Sequence, residues 1–159
     1  MNLSTIIEDL IEISKLAGSE ILDVYEGNFD VTLKDDLSPL TDADRRSNDI
    51  ITAKLESIYP DIPILSEEGK QIGFSERKEW NIFWLIDPLD GTKEFVKRNG
   101  EFTVNIALIE KGKPIAGVVY APTKRTFWYG AEGTGSFKKI DNATPERISV
   151  EENIDFIGA

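Results

Sequence analysis

Two carboxylates, Asp87 and Asp90, close the apolar run Ile82-Phe83-Trp84-Leu85-Ile86, and Gly91 and Thr92 follow at once. An unpartnered buried carboxylate is costly, and two close together repel as well. A pair at the mouth of a core strand therefore wants a cation between its members. Glu67 stands at the end of a second short apolar stretch, Pro63-Ile64-Leu65. Adjacent strands ending at one sheet edge would bring Glu67, Asp87 and Asp90 together, and with the Leu89 carbonyl they would form a hard oxygen nest suited to Mg²⁺. Gly91 lets the backbone approach a phosphate, whose oxygens the Gly91 and Thr92 N–H groups can meet. The Thr92 hydroxyl could orient a water. The chemistry such a group supports is metal-assisted hydrolysis of a phosphate monoester. Each piece also has a plainer reading: Asp-Pro-Leu-Asp-Gly-Thr as an ordinary turn, Glu67 as a solvated charge, a lone helix-start Asp as a cap.

The composition narrows the choice. The chain has no Cys and no His, which removes disulfides, thiolate and imidazole catalysis and the usual zinc sites. Any metal is left to oxygen ligands, hence Mg²⁺, Mn²⁺ or Ca²⁺. A net charge of −11 opposes binding to a nucleic-acid polymer. The acidic start lacks the pattern of a signal peptide and no run is long enough for a membrane span, so a cytoplasmic protein without stable membrane insertion is expected. With 159 residues, one domain with a full core is expected.

The elements that must carry these residues follow from periodicity. Leu3, Ile6, Ile7, Leu10, Ile13, Ala17, Ile21 and Val24 share one helical face from about Ser4 to Tyr25. Thr5 and Glu8 offer a capping box, and Gly27 a stop. A short strand over Val31 to Lys34 and a loop over Asp35 to Leu40 come next. A second helix is expected over Thr41 to Ile58, with an apolar line through Ile51, Leu55 and Ile58. Two turns back from Ile51 lies Asp44, on the buried face, as capping partner of Thr41, as a functional group, or as both. Residues 70–81 read as a polar surface excursion. Strands are expected over Phe102–Glu110, Ile115–Tyr120, Arg125–Tyr129 and Gly135–Lys138, the first two joined as a hairpin through Lys111-Gly112. Two helices followed by a strand meander predict an α+β fold, with helices packed on one face of a mainly antiparallel sheet.

Three segments resemble one family. Trp84-Leu85-Ile86-Asp87-Pro88-Leu89-Asp90-Gly91-Thr92, Ser66-Glu67-Glu68-Gly69 and Ser38-Pro39-Leu40-Thr41-Asp42-Ala43-Asp44 are similar, in order and spacing, to the motifs of the lithium-sensitive, magnesium-dependent phosphomonoesterases typified by inositol monophosphatase. The stretch Gly91 to Ile109, with Lys93 and Glu94, is most similar to the bacterial 3′(2′),5′-bisphosphate nucleotidases, which remove the 3′-phosphate of adenosine 3′,5′-bisphosphate. The resemblance implies two or three Mg²⁺ ions, with Mn²⁺ as a substitute and Li⁺ as an inhibitor. It implies Glu67, Asp87, Asp90 and the Leu89 carbonyl as metal ligands, and Asp90, Gly91 and Thr92 as phosphate-binding. It also implies that Glu67 and Thr92 orient the attacking water while Asp44 helps to place a further metal or its water.

The alternatives are an inositol or sugar phosphatase, and a non-catalytic metal- or phosphate-binding fragment. The family's layered αβαβα fold continues into a second α/β domain that supplies another metal-binding aspartate in a Trp-Asp motif, and no such motif follows Thr92. The expected organisation is a metal- and phosphate-binding domain over residues 1–150, with residues 151–159 starting a missing C-terminal domain. Self-association is expected through the face that domain would leave open.

Overall fold

The computed structural model describes residues 2–27, 31–33 and 39–150. The first helix, α1 (Leu3–Glu26), buries Ile6, Leu10, Ile13, Ala17 and Ile21 as its periodicity predicts. Its cap differs from the expected Thr5–Glu8 box. Asn2 fills that role, accepting the Ser4 N–H at 3.0 Å, so Thr5 already lies inside the helix. Gly27 closes the helix in an extended conformation.

Strand β1 (Val31–Leu33) pairs antiparallel with β2 (Pro39–Thr41). Lys34 and most of the expected loop, residues 35–38, lie outside the described residues, but Pro39 and Leu40 belong to β2 rather than to a loop. Their backbone pairing overrides the turn composition around them. Helix α2 (Asp42–Ile58) then packs on α1, with Ile51 and Leu55 buried. Ile58, expected on the same line, is 45% exposed because it sits at the helix end. The Tyr59 hydroxyl donates to Asp9 on α1, tying that end down.

The main sheet runs β3 (Ile64–Ser66), β4 (Ile82–Asp90), β5 (Thr103–Glu110), β6 (Lys113–Ala121), β7 (Thr126–Ala131), β8 (Gly135–Ile140) and β9 (Glu146–Ile148), adjacent in that order. Only the β3–β4 pairing is parallel among the described strands. The expected α+β architecture is observed. Lys111 and Gly112 both adopt positive φ (50° and 76°), the backbone of a tight hairpin turn matched to strand twist. Two short helices were not expected: α3 (Phe74–Arg77), inside the polar excursion, and α4 (Thr92–Val96), directly after Gly91. Neither is long enough to show helical periodicity. The expected onset of further structure after residue 150 lies outside the described residues.

Both long helices cover one sheet face. Trp84, Ile86, Val104, Ile106, Leu108, Val118 and Phe127 meet them there, all buried. Each large apolar side chain so buried contributes about 1.5–3 kcal/mol. The opposite face is open. The apolar run before Asp87 reads as a core strand, but burial alternates along β4, and Leu85 is 44% exposed beside buried Trp84 and Ile86. Alternation puts Leu85 and Asp87 on the same, open face. There Leu65, Leu85, Ala107, Gly117, Val119 and Trp128 line a groove of about 1000 Å³, with Glu67 and Asp87 also on its wall.

Candidate metal and phosphate site

Strand β4 does not stop at Asp87, as the sequence suggests, but runs on to Asp90. The pairing with β5 shifts between Asp87, opposite Asn105, and Asp90, opposite Thr103. The Pro88-Leu89 segment is thus an irregularity inside the strand, not a turn after it. Pro88 has no N–H to give the ladder, so the ladder breaks where it stands. Both residues of this segment are buried, and the Ser47 hydroxyl of α2 donates to the Pro88 carbonyl at 2.6 Å. The irregularity is therefore fixed from the helix side.

Glu67 reaches the same place from β3. The parallel register sets Ser66 beside Ile86, and the Glu67 N–H donates to the Ile86 carbonyl at 3.1 Å. This is the meeting of strand ends expected from the sequence. The Glu67 and Asp87 carboxyls share a hydrogen bond. Burial, first, and then the charges of Glu67 and Asp90 push the Asp87 carboxyl up to about 7, against a small lowering by the Leu89 backbone. Among the described residues, two buried side-chain polar atoms lack any hydrogen-bond partner: the Trp84 indole nitrogen and Asp87 Oδ1. An orphaned, charge-crowded carboxylate oxygen is the chemistry a hard divalent cation relieves. The acids come together in part only. Among the described residues no group of three or more closes into a set that could hold an ion alone.

Asp44 occupies the first turn of α2 and is 1% exposed. Its Oδ2 accepts the Thr41 N–H at 2.7 Å and the Thr41 hydroxyl at 2.6 Å, while Thr41 Oγ1 accepts the Ala43 N–H at 3.2 Å. The capping box is real. Asp44 Oδ1 does something further: it lies 3.1 Å from Thr92 Oγ1, which is also 3.2 Å from the Leu89 carbonyl. The capping and site readings of Asp44 thus coexist in one carboxylate. Gly91 makes the joint between β4 and α4 at φ 94°, and a Cβ there would stand 2.8 Å from the Glu101 carbonyl.

Three site-forming residues escaped sequence reasoning. Asn105 donates to Asp90 Oδ2 at 3.1 Å and accepts from the Thr103 hydroxyl at 3.0 Å, steadying an otherwise exposed carboxylate. Asn48 accepts the Ser66 hydroxyl at 2.7 Å beside Glu67. Ser47 holds Pro88. Asn105 alone left a trace: asparagine is depleted in strands, and it interrupts the apolar course of β5.

A family model described as the inositol monophosphatase family matches residues 2–155. The chain belongs to the inositol monophosphatase family. It is 50% identical over 129 residues to the 3′(2′),5′-bisphosphate nucleotidase CysQ of Escherichia coli (strain K12), covering 80% of this chain and 52% of that protein. It is 40% identical over 136 residues to the enzyme of the same name from Aggregatibacter actinomycetemcomitans, covering 86% and 51%. Among solved structures, CysQ from Bacteroides thetaiotaomicron matches at 38% identity and TM-score 0.77, over 95% of this chain and 60% of that one. An IMPase from Thermotoga maritima matches at 31% identity and TM-score 0.75, over 90% and 52%. The chain spans about half the length of the curated relatives it matches. None of the described helices is long and apolar enough to cross a membrane.

Proposed function

We propose that this chain forms the metal- and phosphate-binding half of a divalent-metal-dependent phosphomonoesterase that acts on 3′(2′),5′-bisphosphate nucleotides such as adenosine 3′,5′-bisphosphate. The observation that carries the metal reading is Asp87, whose buried Oδ1 has no partner while Glu67 and Asp90 crowd it with charge. Glu67, Asp87, Asp90 and the Leu89 carbonyl are the groups that would hold Mg²⁺ or Mn²⁺. A bound cation of this kind supplies Lewis acidity, making water more acidic and offsetting phosphate charge.

The chain's own residues do the rest. Because Asp44 takes the Thr92 proton in its hydrogen bond, the Thr92 oxygen keeps lone pairs with which to accept from a water. Glu67, at the rim and exposed, would orient that water together with Thr92. First-turn amides of a helix have no intrahelical acceptor, so the N–H groups at Gly91 and Thr92 suit phosphate oxygens, with Asp90 beside them. The nucleotide preference rests on the relatives named CysQ and on Lys93 and Glu94, where inositol phosphatases more often have threonine and asparagine.

The test is phosphate release from adenosine 3′,5′-bisphosphate and from inositol 1-phosphate, with and without Mg²⁺. Selective, Mg²⁺-dependent release from the nucleotide that disappears in Asp90→Asn supports the proposal. Preference for the inositol ester overturns the substrate class. No release, with calorimetric Mg²⁺ binding that Asp87→Asn abolishes, leaves a binding module. No binding of Mg²⁺ or Mn²⁺ at millimolar levels removes the metal site itself.

A further inference from the structure

We infer that Arg98 is a positioning residue for the candidate site, clamping α4 to the end of α1 so that Thr92 is held from both ends of its helix. The catalytic part of this inference rests on the reading of Thr92 given above; the clamp itself does not.

Helix α1 has no basic residue in its last turn, so its terminal carbonyls and negative dipole end are left to an outside cation. Arg98 provides it. Nη1 donates to the Tyr25 carbonyl at 2.5 Å and Nη2 to the Gly27 carbonyl at 2.6 Å. The guanidinium carbon also lies 5.7 Å from the centre of the Tyr25 ring. That ring packs against Phe95 and Phe102 at 5.1 and 5.0 Å, and these two meet at 5.3 Å. Phe95 is the fully buried residue of α4. The cation and the aromatic trio thus bind the C-terminal part of α4 to α1 at one locus.

Arg98 adopts a left-handed backbone to do this, φ 57°, a conformation strained for a residue with a Cβ. The left-handed residue turns the chain just after α4. Two donors in a fixed fork reach two carbonyls of one helix end, a geometry an ammonium group does not reproduce.

The consequence reaches the site because α4 is only five residues long and Gly91 gives it no side-chain cap. So short a helix has no stability of its own; its ends decide its place. The N-terminal end is tied by Thr92 to Asp44, the C-terminal end by Arg98 to α1.

Arg98→Lys and Arg98→Ala in the full chain test this by amide exchange and by phosphate release. Exchange at the Glu94, Phe95 and Lys97 amides, which close α4 onto Gly91 and Lys93, should rise on the order of tenfold or more in both variants, with β5 amides unchanged. In the phosphate-release assay kcat should fall about tenfold or more while KM moves less than about twofold. Millimolar methylguanidinium, but not methylammonium, should restore part of the loss in Arg98→Ala. Unchanged α4 exchange in Arg98→Ala, or wild-type behaviour of Arg98→Lys, overturns the clamp. Equal loosening of β5 overturns it too, since Arg98 would then support the fold at large. Loosened α4 with unchanged kcat overturns the positioning role. A wild-type chain that releases no phosphate defeats the catalytic reading alone, and exchange with guanidinium rescue still decides the clamp.

Discussion

The Thr92 hydroxyl meets the buried Asp44 carboxylate at 3.1 Å across 48 positions of sequence. That carboxylate also caps α2, so the same side chain sets where a helix begins and where the candidate site's hydroxyl points. Asp44→Asn offers one acceptor oxygen where two are used and turns an amide N–H₂ toward donors. It should lower stability by about 1–2 kcal/mol. In the phosphate-release assay it should lower kcat by on the order of tenfold or more. Thr92→Ser should keep most of both, and Thr92→Val should lose kcat with little stability. Urea titrations beside initial rates separate these outcomes; equal rates in Asp44→Asn and wild type would remove the link.

Asp87 predicts a pH dependence with a definite sign. Its carboxyl titrates at about 7 in the folded chain, above its ordinary 3.8. Between those values the folded protein keeps a proton that the unfolded chain releases. This contribution is therefore complete below the unfolded value and is lost as pH rises through about 7. The metal-free melting temperature should fall from acid toward pH ~8, more steeply in the wild type than in Asp87→Asn. Mg²⁺ or Mn²⁺ should flatten the wild-type profile and leave that of Asp87→Asn unchanged. Thermal scans over pH in chelator and in metal show this directly, and parallel wild-type and Asp87→Asn curves in chelator would refute it.

Gly91→Ala should damage the joint between β4 and α4. The backbone stands at φ 94°, and the new methyl would meet the Glu101 carbonyl at 2.8 Å and Phe102 Cα at 3.3 Å. The left-handed conformation alone costs about 1–2 kcal/mol, and the contacts are with backbone that cannot swing aside. Denaturant titration should show a loss of at least about 2 kcal/mol; a neutral result would mean that the joint relaxes freely.

Gly18→Ala sets two effects against each other. Alanine is the better helix former by about 1 kcal/mol. At this position, however, its Cβ would fall 2.5 Å from Tyr120 Cε1 and 3.1 Å from Pro122 Cγ. The Tyr120 ring is stacked on Phe127 at 4.0 Å and is buried, so overpacking of about 1–3 kcal/mol should win. A lowered melting temperature checks this, and a raised one would show that α1 can lift from the sheet.

Much of this molecule is written locally. The apolar stripe of α1 and the Thr41–Asp44 cap involve residues within a turn or two of each other, and the Lys111-Gly112 hairpin turn needs only its own backbone freedom. The approach of Glu67 to Asp87 was also legible, because both end apolar stretches that pair as neighbours. Arg98, Ser47, Asn48 and Asn105 were not. Each is a polar residue whose partner lies on another element, so its neighbourhood does not show what it holds, and only Asn105 stands out from its strand at all.

The apolar run before Asp87 shows the limit most clearly. Apolar residues stand on both faces of β4, so sequence alone could not tell a strand buried on both sides from one buried on one. By its order of residues the chain determined the two long helices, most of the strands, an oxygen-only donor set and the family. Only the tertiary structure decided that β4 continues through Pro88 to Asp90, that Asp87 faces the open side with an oxygen unpartnered, and that Asp44 holds Thr92. The physical reason is that charge crowding, desolvation and hydrogen-bond satisfaction belong to groups brought together in space, and three separate elements must fold before any of them exists.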